Sequence, residues 1–113
     1  MNSVQLIGRL TKDPELRMSN GGESVCTVRL AVDRMGENGS AGFIDVAVFG
    51  RRGEACAQHL SRGWLIGVSG RLRYREWTGR DGGRRSSVAI VGSVDFLAAP
   101  RAAAAASGER TAA

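Results

Sequence analysis

Hydrophobic and polar residues alternate along most of this chain, a pattern typical of β-strands that bury one face. Within residues 24–33, for example, Cys26 and Val28 fall on one side and Thr27 and Arg29 on the other. Glycine-rich stretches separate the alternating segments and are typical of turns. The pattern predicts five strands, over residues 3–10, 24–33, 43–49, 64–77 and 87–97.

One segment has the spacing of a helix instead. A repeat at helical spacing is formed by Ala55, Cys56, His59 and Leu60, and Gly63 offers a C-terminal stop. We therefore expect a helix over residues 51–62. Five strands with a helix between the third and the fourth is the element order of an OB-fold, an all-β Greek-key barrel. A split sandwich of the same strands is the alternative.

The alternation also predicts which side chains face the core. On the fourth strand it turns Leu72 and Tyr74 inward, in register with Trp64. The predicted inward residues are Val4, Leu6, Cys26, Val28, Leu30, Val32, Ile44, Val46, Val48, Trp64, Ile66, Val68, Leu72, Tyr74, Val88, Ile90, Val94 and Phe96.

Two phenylalanines share the outward face of the third strand. If the strand buries alternate residues, then Phe43 and Phe49 point away from the core, on the same face as Asp45. Burial of both sheet faces, or an interface between copies, would explain exposed rings. A platform for stacking nucleic-acid bases is the functional interpretation, because every base has a π-face that a ring can cover.

The outward face of the fourth strand adds positive charge. It carries Arg71, Arg73, Arg75 and Trp77, and six arginines stand against two acids in residues 71–85. Arginines on a strand can simply keep an exposed edge soluble, but that interpretation does not need the tryptophan. Cationic side chains can contact phosphates and aromatic rings can stack on bases. Their combination on one face therefore favours binding of single-stranded nucleic acid. Further candidate phosphate contacts are Arg84, Arg85 and Arg9.

The composition fits one basic domain of ordinary globular character. The chain has 113 residues and a formal charge of +5, which favours a polyanionic partner. We expect the domain to span residues 1–97 and the alanine-rich residues 98–113 to form a disordered tail. No long apolar run or signal-peptide pattern is present, so we expect a cytoplasmic, nucleoid-associated protein.

A search for catalytic or metal-binding patterns finds none. His59 is the only histidine, and on the predicted helix it is interpreted as a helix-face residue rather than as a catalytic base. Cys26 and Cys56 are too few for a zinc site or a disulfide scaffold, and both are predicted to be small buried side chains. We expect neither an enzyme, nor a metal, nor a cofactor.

Six segments carry a resemblance to a known family: residues 4–10, 13–17, 20–22, 43–50, 54–60 and 70–77. Together they resemble bacterial single-stranded DNA-binding proteins, the SSB family. The resemblance implies an OB-fold that assembles as a homotetramer and wraps single-stranded DNA without catalysis or cofactor. It places Phe43, Phe49 and Trp77 at stacking positions and implies that Arg71, Arg73 and Arg75 follow the phosphates.

Two features depart from the family pattern. Residues 34–36, Arg-Met-Gly, occupy the neighbourhood where the family often has a further stacking tryptophan. The main replicative members end in an acidic peptide with a Pro-Phe tip, whereas this chain ends in residues 108–113, Gly-Glu-Arg-Thr-Ala-Ala. It therefore resembles the short paralogues without that tip, and we do not expect recruitment of repair or replication proteins through it.

Three other functions fit parts of this pattern. A primosome-type OB-fold accessory protein would share most of the domain but is usually a dimer. An assembly module would bury Phe43, Phe49 and Trp77 against another protein rather than against DNA. An enzyme of unknown type ranks last, because no catalytic pattern supports it. The expected role is to coat and protect single strands during replication, recombination, repair or DNA uptake.

Overall fold

The computed structural model describes residues 1–100, and the predicted tail from residue 101 onward lies outside the described residues. Most of the described chain is β-strand, with one α-helix and a short 3₁₀ turn at Glu37–Gly39. The elements are β1 Val4–Leu10, β2 Glu15–Met18, β3 Ser24–Val32, β4 Gly42–Phe49, α1 Gly50–His59, β5 Leu65–Thr78 and β6 Arg84–Ala98.

The strands form one sheet that closes into a barrel. Their order is β1-β5-β6-β4-β3-β2, and β1 also pairs with β3 at Arg9↔Ala31 and Leu10↔Leu30. This second pairing closes a ring of β1, β5, β6, β4 and β3, and β2 lies outside the ring as a further strand on β3. Within the ring, β4 and β6 lie parallel at Val46↔Ile90. The ring of strands, with α1 between the third and fourth of the predicted strands, confirms the OB-fold.

The structure contains one strand that the alternation did not predict. β2 is four residues long and exposed throughout, and it pairs with β3 at Leu16↔Cys26. A short strand without a buried side chain has no hydrophobic alternation, so the sequence pattern carried no signal for it.

Inward side chains of the barrel strands form the core, as the alternation predicted. Val28, Leu30, Val46 and Ile66 are fully buried. Helix α1 closes one end of the barrel with Cys56, while Leu60, its C-terminal cap, is also buried. The helix ends at His59 rather than at the predicted residue 62.

Both thiols are buried, as predicted. Burial raises the pKa of Cys26, and it raises the pKa of Cys56 to about 11, with a smaller contribution from the repulsion that the two groups would exert on each other if both ionised. Both groups are therefore protonated at neutral pH, which agrees with a packing role.

The prediction that Leu72, Tyr74 and Val88 face the core is wrong. Leu72 is 47% exposed and Tyr74 and Val88 are each 61% exposed, because β5 and β6 continue beyond the barrel as a hairpin. Alternation shows which side chains share one face of a strand. It does not show how far along the strand other residues pack against that face. Phe96, also predicted to face the core, is 39% exposed. Trp64 is half-buried and packs edge-on against Phe96, with ring centroids 6.1 Å apart.

A pair of glycines marks the point where the hairpin leaves the barrel. Gly70 and Gly92 lie directly opposite each other in the β5–β6 ladder. A Cβ on either would overlap the opposite backbone, at the Val91 or Ser69 carbonyl oxygen respectively. The two strands can therefore approach this closely only without side chains at this level.

Candidate nucleic-acid interface

The outward residues of four strands form one continuous surface, called here the strand face. Side chains of directly opposed residues in a sheet lie on the same side, so the pairings define this surface. Phe49 of β4 lies opposite Val25 of β3, and Ala47 lies beside Val91 of β6. Val91 in turn lies opposite Arg71 of β5. The strand face consists of Val25, Thr27, Arg29, Ala31, Phe43, Asp45, Ala47, Phe49, Arg71, Arg73, Arg75, Trp77, Arg85, Ser87, Ala89 and Val91.

A groove in this surface brings an aromatic ring and several cations together. Phe49 lines one part of it, Arg73 and Arg75 another, and the floor includes Ala47. The groove has a volume of about 940 Å³ and is open to solvent. It is therefore a surface channel in which a flexible single strand of nucleic acid can lie. The ring of Phe49 and the guanidinium groups of Arg73 and Arg75 line the same channel.

The hairpin extends the strand face away from the barrel. Trp77 lies opposite Arg85 near its tip, and the guanidinium carbon of Arg75 lies 4.7 Å from the centre of the Trp77 ring. Arg85 also forms an ion pair with Asp81, at 3.2 Å between Nη2 and Oδ2. A ring and two cations are thus grouped on one side of this hairpin.

Phe43 lies at the opposite end of β4 from Phe49. It is 57% exposed, and the guanidinium carbon of Arg29 lies 5.6 Å from the centre of its ring. Arg9 lies in the same row, because it pairs with Ala31, which in turn pairs with Phe43. The Nη1 of Arg9 donates a hydrogen bond to the Gly63 carbonyl oxygen at 3.0 Å.

Arg84 is the predicted contact that the structure separates from the others. It lies opposite Thr78, on the reverse side of the hairpin, and its Nη2 is 3.4 Å from Glu76 Oε2. On that reverse side Tyr74 also donates a hydrogen bond to Glu76, at 2.9 Å. Arg84 therefore faces away from Trp77 and Arg85.

Sequence reasoning missed two arginines in this region. Arg17, in the unpredicted strand β2, lines the same groove as Phe49. Arg29 extends from the strand face beside Phe43. The alternation already placed Arg29 on the outward face of its strand, so that signal was available, whereas Arg17 had none.

In residues 1–100 no three side chains of His, Cys, Asp or Glu group together as metal ligands would. His59 is exposed on α1, with its ring 6.4 Å from that of Phe96. Over the same range, no helix is long and apolar enough to cross a membrane.

Comparison with known proteins gives a consistent result. The model of the single-strand binding protein family matches residues 1–97. The "Single-stranded DNA-binding protein" of Clostridium tetani is 48% identical over 103 residues, covering 86% of this chain and 70% of that protein. "Single-stranded DNA-binding protein 3" of Clostridium acetobutylicum is 46% identical over 102 residues, with 86% and 71% covered. "Single-stranded DNA-binding protein 1" of the same species is 40% identical over 104 residues, with 86% and 94% covered. The chain therefore belongs to the single-strand binding protein family.

Proposed function

We propose that this protein binds single-stranded DNA with little regard to sequence and protects it, without catalysis, in the bacterial cytoplasm at the nucleoid. The strands it covers are those exposed in replication, recombination, repair or DNA uptake. The observation that carries this proposal is the groove that Phe49 shares with Arg73 and Arg75. Family membership supplies the substrate class, and the groove supplies a physical means of binding it.

The mechanism combines stacking with charge neutralisation. Bases stack on Phe43, Phe49 and Trp77, which all project from the strand face. Guanidinium groups of the strand face, from Arg71, Arg73, Arg75 and Arg85, contact the phosphates, together with Arg9, which lies in the same row as Phe43. Each stacked base contributes about 1–3 kcal/mol regardless of its identity, which makes binding tolerant of sequence.

A fluorescence titration with oligo-dT tests this proposal. Stacking on Trp77 quenches its emission, so single strands are expected to quench strongly and the matching duplex weakly, at both low and moderate salt. Equal binding to both forms that vanishes with salt would mean that only positive charge is at work. The exposed rings would then belong to an interface with another protein.

Removing one phosphate contact is expected to change the salt dependence by a defined amount. The logarithm of the binding constant K falls as log salt concentration rises, and Arg73→Gln should make this negative slope shallower by roughly 0.7, the value for one single-strand phosphate. The slope comes from oligo-dT titrations across a range of salt concentrations. Arg52→Gln is the matched control, because it removes the same charge from α1, beside Ser93 and Asp95 rather than on the strand face. Equal slopes for the two variants would remove Arg73 from the interface.

We further propose that four copies assemble through β1 and its neighbours. Among the described residues, one edge of β1 pairs with no strand at Val4–Gly8. Beside that edge, Ile7 is 62% exposed and Leu97 is 48% exposed, and both line a groove of about 490 Å³. A free strand edge beside exposed apolar side chains is suited to pairing with a second copy.

An acidic substitution in this surface is expected to break the assembly. Ile7→Glu should reduce the mass in solution below four chains, because it places a carboxylate in a desolvated interface. Multi-angle light scattering at a fixed protein concentration measures that mass. Val88→Glu is the control, since Val88 is equally exposed but lies on the hairpin. Dissociation by Val88→Glu alone would place the interface on the hairpin, and a dimeric wild type would favour the primosome-type alternative.

A further inference from the structure

An acidic residue lies within the proposed binding surface, directly across from an arginine. Asp45 of β4 and Arg29 of β3 are opposed in the ladder, and Asp45 Oδ2 lies 3.7 Å from Arg29 Nη1. The two side chains are 55% and 43% exposed, respectively. A carboxylate in this position repels phosphates and reduces the positive charge that Arg29 adds to the surface.

The same arginine covers part of a proposed stacking ring. Its guanidinium carbon lies 5.6 Å from the centre of the Phe43 ring, in the arrangement of a cation–π contact. A base that stacks on this face of Phe43 therefore has to displace Arg29. The ion pair with Asp45 opposes that displacement, because the guanidinium group leaves both the ring and the carboxylate.

Trp77 offers a comparison within the same chain. Arg75 covers the Trp77 ring at 4.7 Å, but within residues 1–100 it takes part in no ion pair, unlike Arg29. Arg75 can therefore turn to a phosphate without losing a carboxylate partner. The arginine over Phe43 is thus held by an ion pair with Asp45, whereas the arginine over Trp77 has no such partner among the described residues.

We propose that Asp45 is a positioning residue that holds Arg29 over Phe43 and so limits the affinity of the strand face for single-stranded DNA. This inference rests on the proposed function. In the free protein, Asp45 keeps the guanidinium group on the ring. When single-stranded DNA binds, Arg29 moves to a phosphate and a base takes its place on the Phe43 ring. The ion pair with Asp45 makes both changes less favourable.

Neutralising Asp45 tests this inference. Asp45→Asn should lower the Kd for oligo-dT about twofold to fivefold, the range set by an exposed ion pair. It should also make the negative slope of log K against log salt steeper by about 0.7, because Arg29 becomes free to contact one more phosphate. Asp45→Glu, which keeps the charge, should stay close to wild type. Glu54→Gln makes the same change of net charge on α1, where Glu54 accepts a hydrogen bond from Ser24, and should leave both quantities unchanged.

A second arm asks whether Asp45 acts through Arg29. In an Arg29→Gln background, Asp45→Asn should give a smaller gain in affinity and no change in salt slope. An equal gain in both backgrounds would mean that Asp45 acts by its own charge alone, and the positioning role would be wrong. Wild-type affinity for Asp45→Asn would overturn the inference while leaving the proposed function intact. Failure of the wild type to bind oligo-dT would instead overturn the proposed function.

Discussion

Replacing Trp77 with alanine is expected to weaken the binding of oligo-dT by about 1–3 kcal/mol, roughly fivefold to 150-fold in Kd. Trp77 is 38% exposed, lies on the strand face near the tip of the hairpin and is not part of the core. Its removal leaves no cavity, so the thermal stability should change little. Fluorescence anisotropy of a labelled oligo-dT measures the Kd without relying on tryptophan emission.

The chain provides its own control for the fluorescence signal. It contains two tryptophans, and Trp64 packs against Phe96 and the core rather than projecting from the strand face. Trp64→Phe should keep the quenching by oligo-dT, and Trp77→Phe should lose it. Unchanged affinity in Trp77→Ala would exclude a stacking role for this ring, and quenching that persists in Trp77→Phe would assign the signal to Trp64.

The barrel could be predicted from the sequence because its strands bury only one face. Around Val28, Val46 and Ile66, where an opposing layer exists, alternation and burial coincide. The hairpin lacks such a layer, so the same alternation continued through Leu72 and Tyr74 without burial behind it. The period of a pattern gives the direction of a side chain, whereas burial depends on residues distant in sequence.

The candidate site could be predicted only as far as one strand at a time. Alternation placed Phe43 and Phe49 on one face, and strand pairing confirms that common face. The sequence named both Arg84 and Arg85 as candidate phosphate contacts, but β6 begins at Arg84 rather than at residue 87, and a strand turns adjacent residues to opposite sides. The ion pair between Arg29 and Asp45 depends on the register of two strands, which alternation does not determine.

Gly8→Ala is expected to destabilise the folded protein by about 1–3 kcal/mol, the usual cost of adding a methyl group where no space exists. Gly8 is buried in β1, next to the residues that close the barrel. A Cβ there would overlap the carbonyl oxygen of Ala31 and approach Leu30 Cδ1 to 3.0 Å. Because the first obstacle is backbone, β1 has to move away from β3, which weakens the pairing at Leu10.

Thermal unfolding followed by circular dichroism measures this effect, with every variant at the same protein concentration because assembly contributes to stability. Gly21→Ala is the matched control, since its Cβ would meet only Ser19 Oγ at 3.9 Å and its φ is not positive. That change should be neutral or slightly stabilising, because alanine restricts the unfolded chain. If the midpoint temperature of unfolding were the same for Gly8→Ala and Gly21→Ala, β1 and β3 would not be in contact at Gly8. The barrel would then be open between them, and Arg9 would no longer lie in the row of the strand face that leads through Ala31 to Phe43.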